Sequence, residues 1–288
     1  MISFVGAGPG AADLLTLRAV DRLAHADVVV WASSLVPDEV LTHVHPDAEV
    51  HDSSGMTLED VLAVYDAAGP DARIVRLHSG DLSLYSAIGE QIDWCVREER
   101  DFELVPGVGS LAAASALVGR ELTAPGVAQS LVATRLPGRT AASMPDGESV
   151  AAFAPHGTTM AVYLSAARPD ELCDELLVDG SGYRPDTPAA VVVRATWPDE
   201  QVVLTTVDGV ADAIRSTGAR TTVLVLVGEA LAGATARTRL YDPCYAHGHR
   251  RRSRPGDTEG RPRSLSTGGT AGDRTAPRAA PTAGEAAP

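Results

Sequence analysis

The chain has 288 residues, 44% of them apolar but only 4% aromatic, and a formal net charge of −14. That length and apolar content predict a globular protein with room for two modest domains whose cores are built from Ala, Val and Leu. No segment nears the ~18 to 20 uninterrupted apolar residues of a membrane span, and a strongly acidic body repels nucleic acid, so neither a membrane nor a nucleic acid is an expected partner.

All 24 basic residues are arginine. From residue 248 onward eight Arg face four acids, a net +4, which leaves about −18 (−14 minus +4) on the body. The three cysteines, Cys95, Cys173 and Cys244, are an odd number, far apart and in no zinc spacing. A reducing compartment is expected. With the first strand beginning at Ile2, the expectation is a cytoplasmic protein without a targeting segment.

Residues 2–5 form an expected first strand that runs into Gly6-Ala7-Gly8-Pro9-Gly10. A strand, a glycine-rich turn and a helix over 13–23 would aim backbone N–H groups at a small ligand. Gly6-x-Gly8-x-x-Ala11 formally fits a dinucleotide fingerprint. Two features oppose that reading. Pro9 lacks an N–H and fixes its own φ. The second strand, 27–31, is followed by Ala32-Ser33-Ser34 and not by the acid that would hold a ribose.

Further strands are expected at 48–51, 73–77 and 102–105, with helices at 37–44, 58–67 and 84–97. This alternation predicts one open parallel sheet. Its fourth strand ends in Arg76-Leu77-His78-Ser79-Gly80-Asp81-Leu82-Ser83-Leu84-Tyr85 and its fifth in Val105-Pro106-Gly107-Val108-Gly109-Ser110. Ligands bind at such carboxyl ends. Asp81 suits either a carboxylate facing a cationic ligand or the cap of a helix beginning near Ser83. Three glycine-containing loops at strand ends of one sheet describe a pocket floor made of backbone.

A small-residue helix is expected over 111–118, leading to a second part with strands at 130–134, 159–164, 189–195, 202–206 and 223–227. The Trp197-Pro198-Asp199 turn between adjacent runs predicts an antiparallel hairpin in a mixed sheet. The organisation read from the chain is an N-terminal α/β domain over 1–118, a C-terminal α/β domain over 119–247, and a disordered Arg/Gly/Pro/Ala-rich tail over 248–288. Ligands are expected in the cleft between the two domains.

The segments Gly6-Ala7-Gly8-Pro9-Gly10, His78-Ser79-Gly80-Asp81-x-Ser83-Leu84-Tyr85 and Val105-Pro106-Gly107-Val108-x-Ser110 resemble the ordered motifs of the S-adenosylmethionine-dependent tetrapyrrole methylases. Thr134-Arg135-Leu136-x-Gly138-Arg139, Leu164-Ser165, the run from Arg194 through Glu200 and Leu240-Tyr241-Asp242-Pro243 resemble the precorrin-4 C11-methyltransferase branch. The likeness covers residues 1 to about 247. It implies two α/β domains, a homodimer, and methyl transfer from S-adenosylmethionine to C11 of precorrin-4 or its cobalt-containing counterpart, with no metal required. Transfer to another tetrapyrrole carbon, as in uroporphyrinogen III, and a non-catalytic nucleotide-binding module are the alternatives.

Carried over by position, the resemblance implies cofactor contacts at Pro9, Ser79, Gly80, Asp81, Leu84, Gly109 and Ser110, with Leu164 and Ala195 from the second domain. The implied acceptor carries acetate and propionate groups, which suit the planar guanidinium forks of Arg120, Arg135, Arg139 and Arg194. Taken alone, each reads first as an ordinary surface arginine; as a set inside a strongly acidic body they would make a local positive trough. Tyr85 either lines the tetrapyrrole trough or packs a helix turn, and His78 either moves a proton or packs under its loop. His43-x-His45 lacks a third ligand and receives no role. The sequence departs from the family pattern at Ala11, Ala12, Leu82 and Ser86. Leu82 in place of proline removes a φ restraint from a binding turn.

Overall fold

The computed structural model describes residues 1–137, 141–145, 147–233, 238–242 and 245–246. Met1–Gly233 forms one compact unit and Ala234–Pro288 a second. The described part of the second unit contains a 3-10 turn at Arg239–Tyr241. The expected tail and Cys244 lie outside the described residues.

The first sheet is built from β1 (Ile2–Gly6), β2 (Val28–Trp31), β3 (Glu49–Asp52), β4 (Ile74–His78) and β5 (Phe102–Val105), in the order β3-β2-β4-β1-β5. Every pairing is parallel. Alternate residues of the strands enter different cores. Val5, Val29, Trp31, Val75 and Leu77 pack with Leu15, Ala19 and Leu23, whereas Ile2, Phe4, Val28, Val30 and Ile74 pack with Val61, Tyr65 and Trp94. Apolar side chains on both faces are what a parallel sheet covered by helices requires.

The expected helix over 13–23 divides in two. A 3-10 turn at Ala12–Leu14 precedes α1 (Leu17–Ala24), because the Thr16 hydroxyl accepts the Ala19 N–H at 3.1 Å and caps a fresh helix start. Residues 37–44 give a 3-10 helix at Asp38–His43. α2 (Leu58–Ala67) matches its expected span and opens with a capping box between Thr57 and Asp60. α3 (Gly89–Arg97) starts five residues later than expected (89 minus 84). Local side-chain bonds take the backbone before it: Asp81 Oδ1 accepts the Ser83 N–H and hydroxyl, each at 2.8 Å, and the Ser86 hydroxyl donates to the Leu82 carbonyl at 2.6 Å. Tyr85 and Ala87 sit in left-handed conformations at φ 56° and 51°, which a helix cannot contain.

The second sheet comprises β6 (Leu131–Arg135), β7 (Thr159–Tyr163), β8 (Pro188–Val193), β9 (Gln201–Thr206) and β10 (Val223–Val227), in the order β6-β7-β10-β8-β9. β6 and β7 are parallel, and the other pairs antiparallel, including the expected β8–β9 hairpin. Between the sheets in sequence, α4 (Ser110–Val118) ends at Gly119, in the left-handed conformation that a helix C-terminus favours. Its Ala113 and Ala114 are buried with Ala161, Ala190, Val192, Leu224 and Leu226 of the second sheet. On the opposite face lie α5 (Val150–Phe153), α6 (Pro169–Leu176) and α7 (Val210–Thr217), with Val150, Leu172, Leu176 and Ile214 packed against Met160, Val162, Val191 and Val225.

Candidate functional site

Backbone hydrogen bonds draw the first two glycine-bearing loops together at the carboxyl end of the parallel sheet. The Ala7 N–H donates to the His78 carbonyl at 2.7 Å, and Gly8 and Gly80 exchange bonds of 3.0 and 2.7 Å. Beside them the loop after β5 leads into α4, whose first residues face the same space. The result is a cavity of about 510 Å³ lined by Ser79, Gly80, Asp81, Leu84, Gly109 and Ser110, together with Tyr163 from the end of β7. Six of the residues implied as cofactor contacts are thus assembled around one cavity.

Asp81 does not cap a helix. Its Oδ1 closes the local turn with Ser83, and its Oδ2 lies 2.6 Å from where a Cβ on Gly109 would stand. Only a residue without a side chain leaves the carboxylate in that place. Burial raises the Tyr163 pKa from its ordinary value, against the opposing influence of the Ser110 hydroxyl. Tyr163 is a lining residue that the motif reading did not single out. Its signal was its position, next to the singled-out Leu164 at the end of an expected strand.

Pro9, Leu164 and Ala195 do not line this cavity. The Pro9 carbonyl accepts the Trp197 indole N–H at 3.0 Å. Leu164 is 63% exposed with φ 52°, and Ala195 is buried with the residues around α4. Both follow strands of the second sheet, so the cavity takes its second-sheet wall from Tyr163.

The arginines divide. Arg135 lines a second cavity of about 430 Å³ with Tyr85, Thr134, Glu148 and Phe153. Arg120 spends its Nε–H on the Leu231 carbonyl at 2.8 Å. Arg194 pairs with Asp199 at 2.5 Å and lies over the Trp197 ring, 4.4 Å from its centroid. Arg139 lies outside the described residues. His78 is buried beneath its loop against Phe4, and its pKa is pushed down to about 3, chiefly by burial and further by the nearby Arg76 charge. A histidine held neutral in the interior fits the packing role better than proton transfer. Among the described residues no group of three His, Cys, Asp or Glu is placed to hold a metal ion, and no helix is long and apolar enough to cross a membrane.

The family model for the Tetrapyrrole (Corrin/Porphyrin) Methylases matches residues 1–211. The chain belongs to the tetrapyrrole methylase family. Among curated relatives, a cobalt-precorrin-4 C(11)-methyltransferase from Methanocaldococcus jannaschii is 40% identical over 252 residues, covering 87% of this chain and 96% of the relative. A precorrin-4 C(11)-methyltransferase from a Sinorhizobium species is 42% identical, covering 85% and 96%. The X-ray structure of a cobalt precorrin-4 methyltransferase, a cobalamin biosynthetic enzyme, superposes with a TM-score of 0.76 at 40% identity, covering 80% of this chain and 95% of the solved one. A uroporphyrin-III C-methyl transferase from Thermus thermophilus, complexed with S-adenyl homocysteine, superposes with a TM-score of 0.65 at 30% identity over 80% of this chain and 98% of its own. As a tetrapyrrole methylase, the chain has the two α/β domains read from its sequence, one with a parallel sheet and one with a mixed sheet.

Proposed function

We propose that this enzyme transfers a methyl group from S-adenosylmethionine to C11 of precorrin-4, or of cobalt-precorrin-4, during corrin ring synthesis. The observation that carries the reading is the cavity of about 510 Å³ floored by Ser79, Gly80 and Asp81 and walled by Gly109 and Ser110. Its size falls within the ~300 to 1,000 Å³ typical of small-molecule sites. Its floor is largely backbone and small side chains, and its lining carries two carboxylates, Asp81 and Glu121, a surface suited to a zwitterionic, adenosine-bearing donor. The higher identity to relatives named for precorrin-4 than to those named for uroporphyrin-III supports the C11 acceptor.

A bound S-adenosylmethionine supplies an already activated methyl group. The protein's task is then alignment, which alone accounts for ~7 to 11 kcal/mol of barrier when reacting atoms are held in line. Gly80, Asp81 and Gly109 fix the donor side. Arg135 and Tyr85 line the adjoining cavity and are the described residues best placed to meet the carboxylates and ring of the acceptor. The reading includes a homodimer, which light scattering tests separately.

Calorimetric titration with S-adenosylhomocysteine, beside NADH, tests the donor site. Micromolar binding of the former alone is expected. Incubation with S-adenosylmethionine and either precorrin-4 or cobalt-precorrin-4 should then yield a product heavier by one methyl group, placed at C11 by NMR. Absence of S-adenosylhomocysteine binding, or methylation at another carbon, overturns the reading.

A further inference from the structure

The turn between β8 and β9 reaches the glycine-rich loop of the other sheet and holds it by two hydrogen bonds. The Trp197 indole donates to the Pro9 carbonyl at 3.0 Å, and the Ala11 N–H donates to the Thr196 hydroxyl at 3.0 Å. These two bonds flank Gly10, where a Cβ would stand 2.8 Å from Trp197 Nε1 and 2.9 Å from Thr196 Oγ1. A methyl group there would displace the indole. The Trp197 ring thus lies directly against the loop backbone.

The turn is itself braced. The Arg194 guanidinium covers the indole and pairs with Asp199, while the Thr196 N–H donates to Glu200 at 2.8 Å. Arg194 and Thr196 both have left-handed backbones, at φ 47° and 68°. Non-glycine residues in that region are strained and persist only where surroundings hold them. The strain brings the Thr196 hydroxyl and the Trp197 indole to adjacent groups of one loop. The same loop is bonded through Gly8 to Gly80, part of the cavity floor.

We propose that Thr196 and Trp197 are positioning residues for the methyl-donor site. They clamp the 6–11 loop from the second sheet and, through the Gly8–Gly80 bonds, set the floor on which the donor lies. The proposal rests on the reading of that cavity as the donor site. It gives Arg194 a bracing task in place of acceptor binding. It also assigns a use to the Trp197-Pro198 turn, whose residues line a separate cavity with Trp31 and Asp38.

The test is calorimetric titration of the full chain with S-adenosylhomocysteine, paired with urea unfolding, for the wild type and for Trp197→Phe, Thr196→Val, Thr196→Ser and Gly10→Ala. Losing one hydrogen bond to the loop should weaken binding ~3- to 10-fold in Trp197→Phe and Thr196→Val. Gly10→Ala should do the same by displacing the indole. Thr196→Ser keeps the hydroxyl and should bind within about twofold of the wild type. In turnover, KM for S-adenosylmethionine should rise in the weakened variants while KM for the tetrapyrrole stays unchanged. Wild-type affinity in both Trp197→Phe and Thr196→Val overturns the clamp and leaves the donor site standing. Equal losses in Thr196→Ser and Thr196→Val, tracking the urea midpoint, also overturn it, as a purely structural role. A wild type that fails to bind removes the donor reading and the clamp with it.

Discussion

The ring of Tyr85 lies against that of Tyr163, centroids 5.0 Å apart and planes inclined at 55°. Tyr163 lines the cavity floored by Asp81, and Tyr85 lines the cavity that holds Arg135. The pair therefore forms a shared partition between the proposed donor and acceptor spaces. Tyr85 reaches this place only through a left-handed backbone, φ 56°, in the loop where a helix was expected.

If that partition sets the approach of acceptor to donor, removing the Tyr85 ring should harm alignment more than donor binding. Tyr85→Ala is expected to lower kcat for methyl transfer ~10- to 100-fold, as misplacement of reacting groups does. Its dissociation constant for S-adenosylhomocysteine should stay within about threefold of the wild type. Steady-state kinetics beside calorimetry separates the two effects, and unchanged kcat removes Tyr85 from the site.

The carboxylate of Asp81 gives a second, independent expectation. Asp81→Asn preserves the shape of the turn with Ser83 but removes the charge. A hydrogen bond involving a charged group contributes ~1.5 to 3 kcal/mol, so S-adenosylhomocysteine affinity should drop ~10- to 100-fold. Gly109→Ala places a methyl group against Asp81 Oδ2 and should act in the same direction without touching the charge. Calorimetry on both proteins checks this, and wild-type affinity in both contradicts it.

The strands were the most legible part of the sequence. Runs such as Val28–Trp31 and Val223–Val227 are apolar on both faces because helices cover both sides, and that continuity is visible without coordinates. The pocket floor was legible because its glycines stand at strand ends. The 82–88 loop was not. Its apolar residues imitate a helix turn, but Asp81 and Ser86 bond the backbone first. Tyr163 and the Trp197–Pro9 contact were also hidden, since each depends on segments brought together only by packing. Leu164 and Ala195 stand beside the residues that make those contacts, one position from Tyr163 and two from Trp197.

Arg120 and Arg135, read alike from sequence, should separate in experiment. Arg120 Nε bonds a backbone carbonyl, so Arg120→Ala should cost ~1 kcal/mol of unfolding free energy and leave the acceptor KM unchanged. Arg135 lines the cavity beside Tyr85, and Arg135→Ala should raise the acceptor KM ~3- to 10-fold through loss of a partly exposed carboxylate contact. Urea unfolding and acceptor titration of both variants test the division. A reversed pattern assigns acceptor binding to Arg120.

The interior His78 sets a pH dependence of stability. Its pKa is about 3 in the folded protein, against ~6.5 for a histidine in an unfolded chain. Above pH ~6.5 neither state protonates it and it contributes no slope. As pH falls from there toward 3, the unfolded chain binds a proton that the folded one does not, so stability declines by up to ~1.4 kcal/mol per pH unit. Asp27 and Glu103 have pKa values lowered by their bonds to Arg73 and Arg22. They stabilise the folded state above their unfolded values, near 4, and that contribution is lost only at lower pH. The interval from pH 6.5 to 5 therefore belongs to His78. Urea unfolding should show the wild type losing ~2 kcal/mol across it, while His78→Gln, which cannot titrate, stays nearly flat. The comparison is one of slopes, so any loss of packing in the variant shifts its curve without disguising the result. Parallel curves would mean that His78 is protonated in the folded protein and that its burial does not hold it neutral.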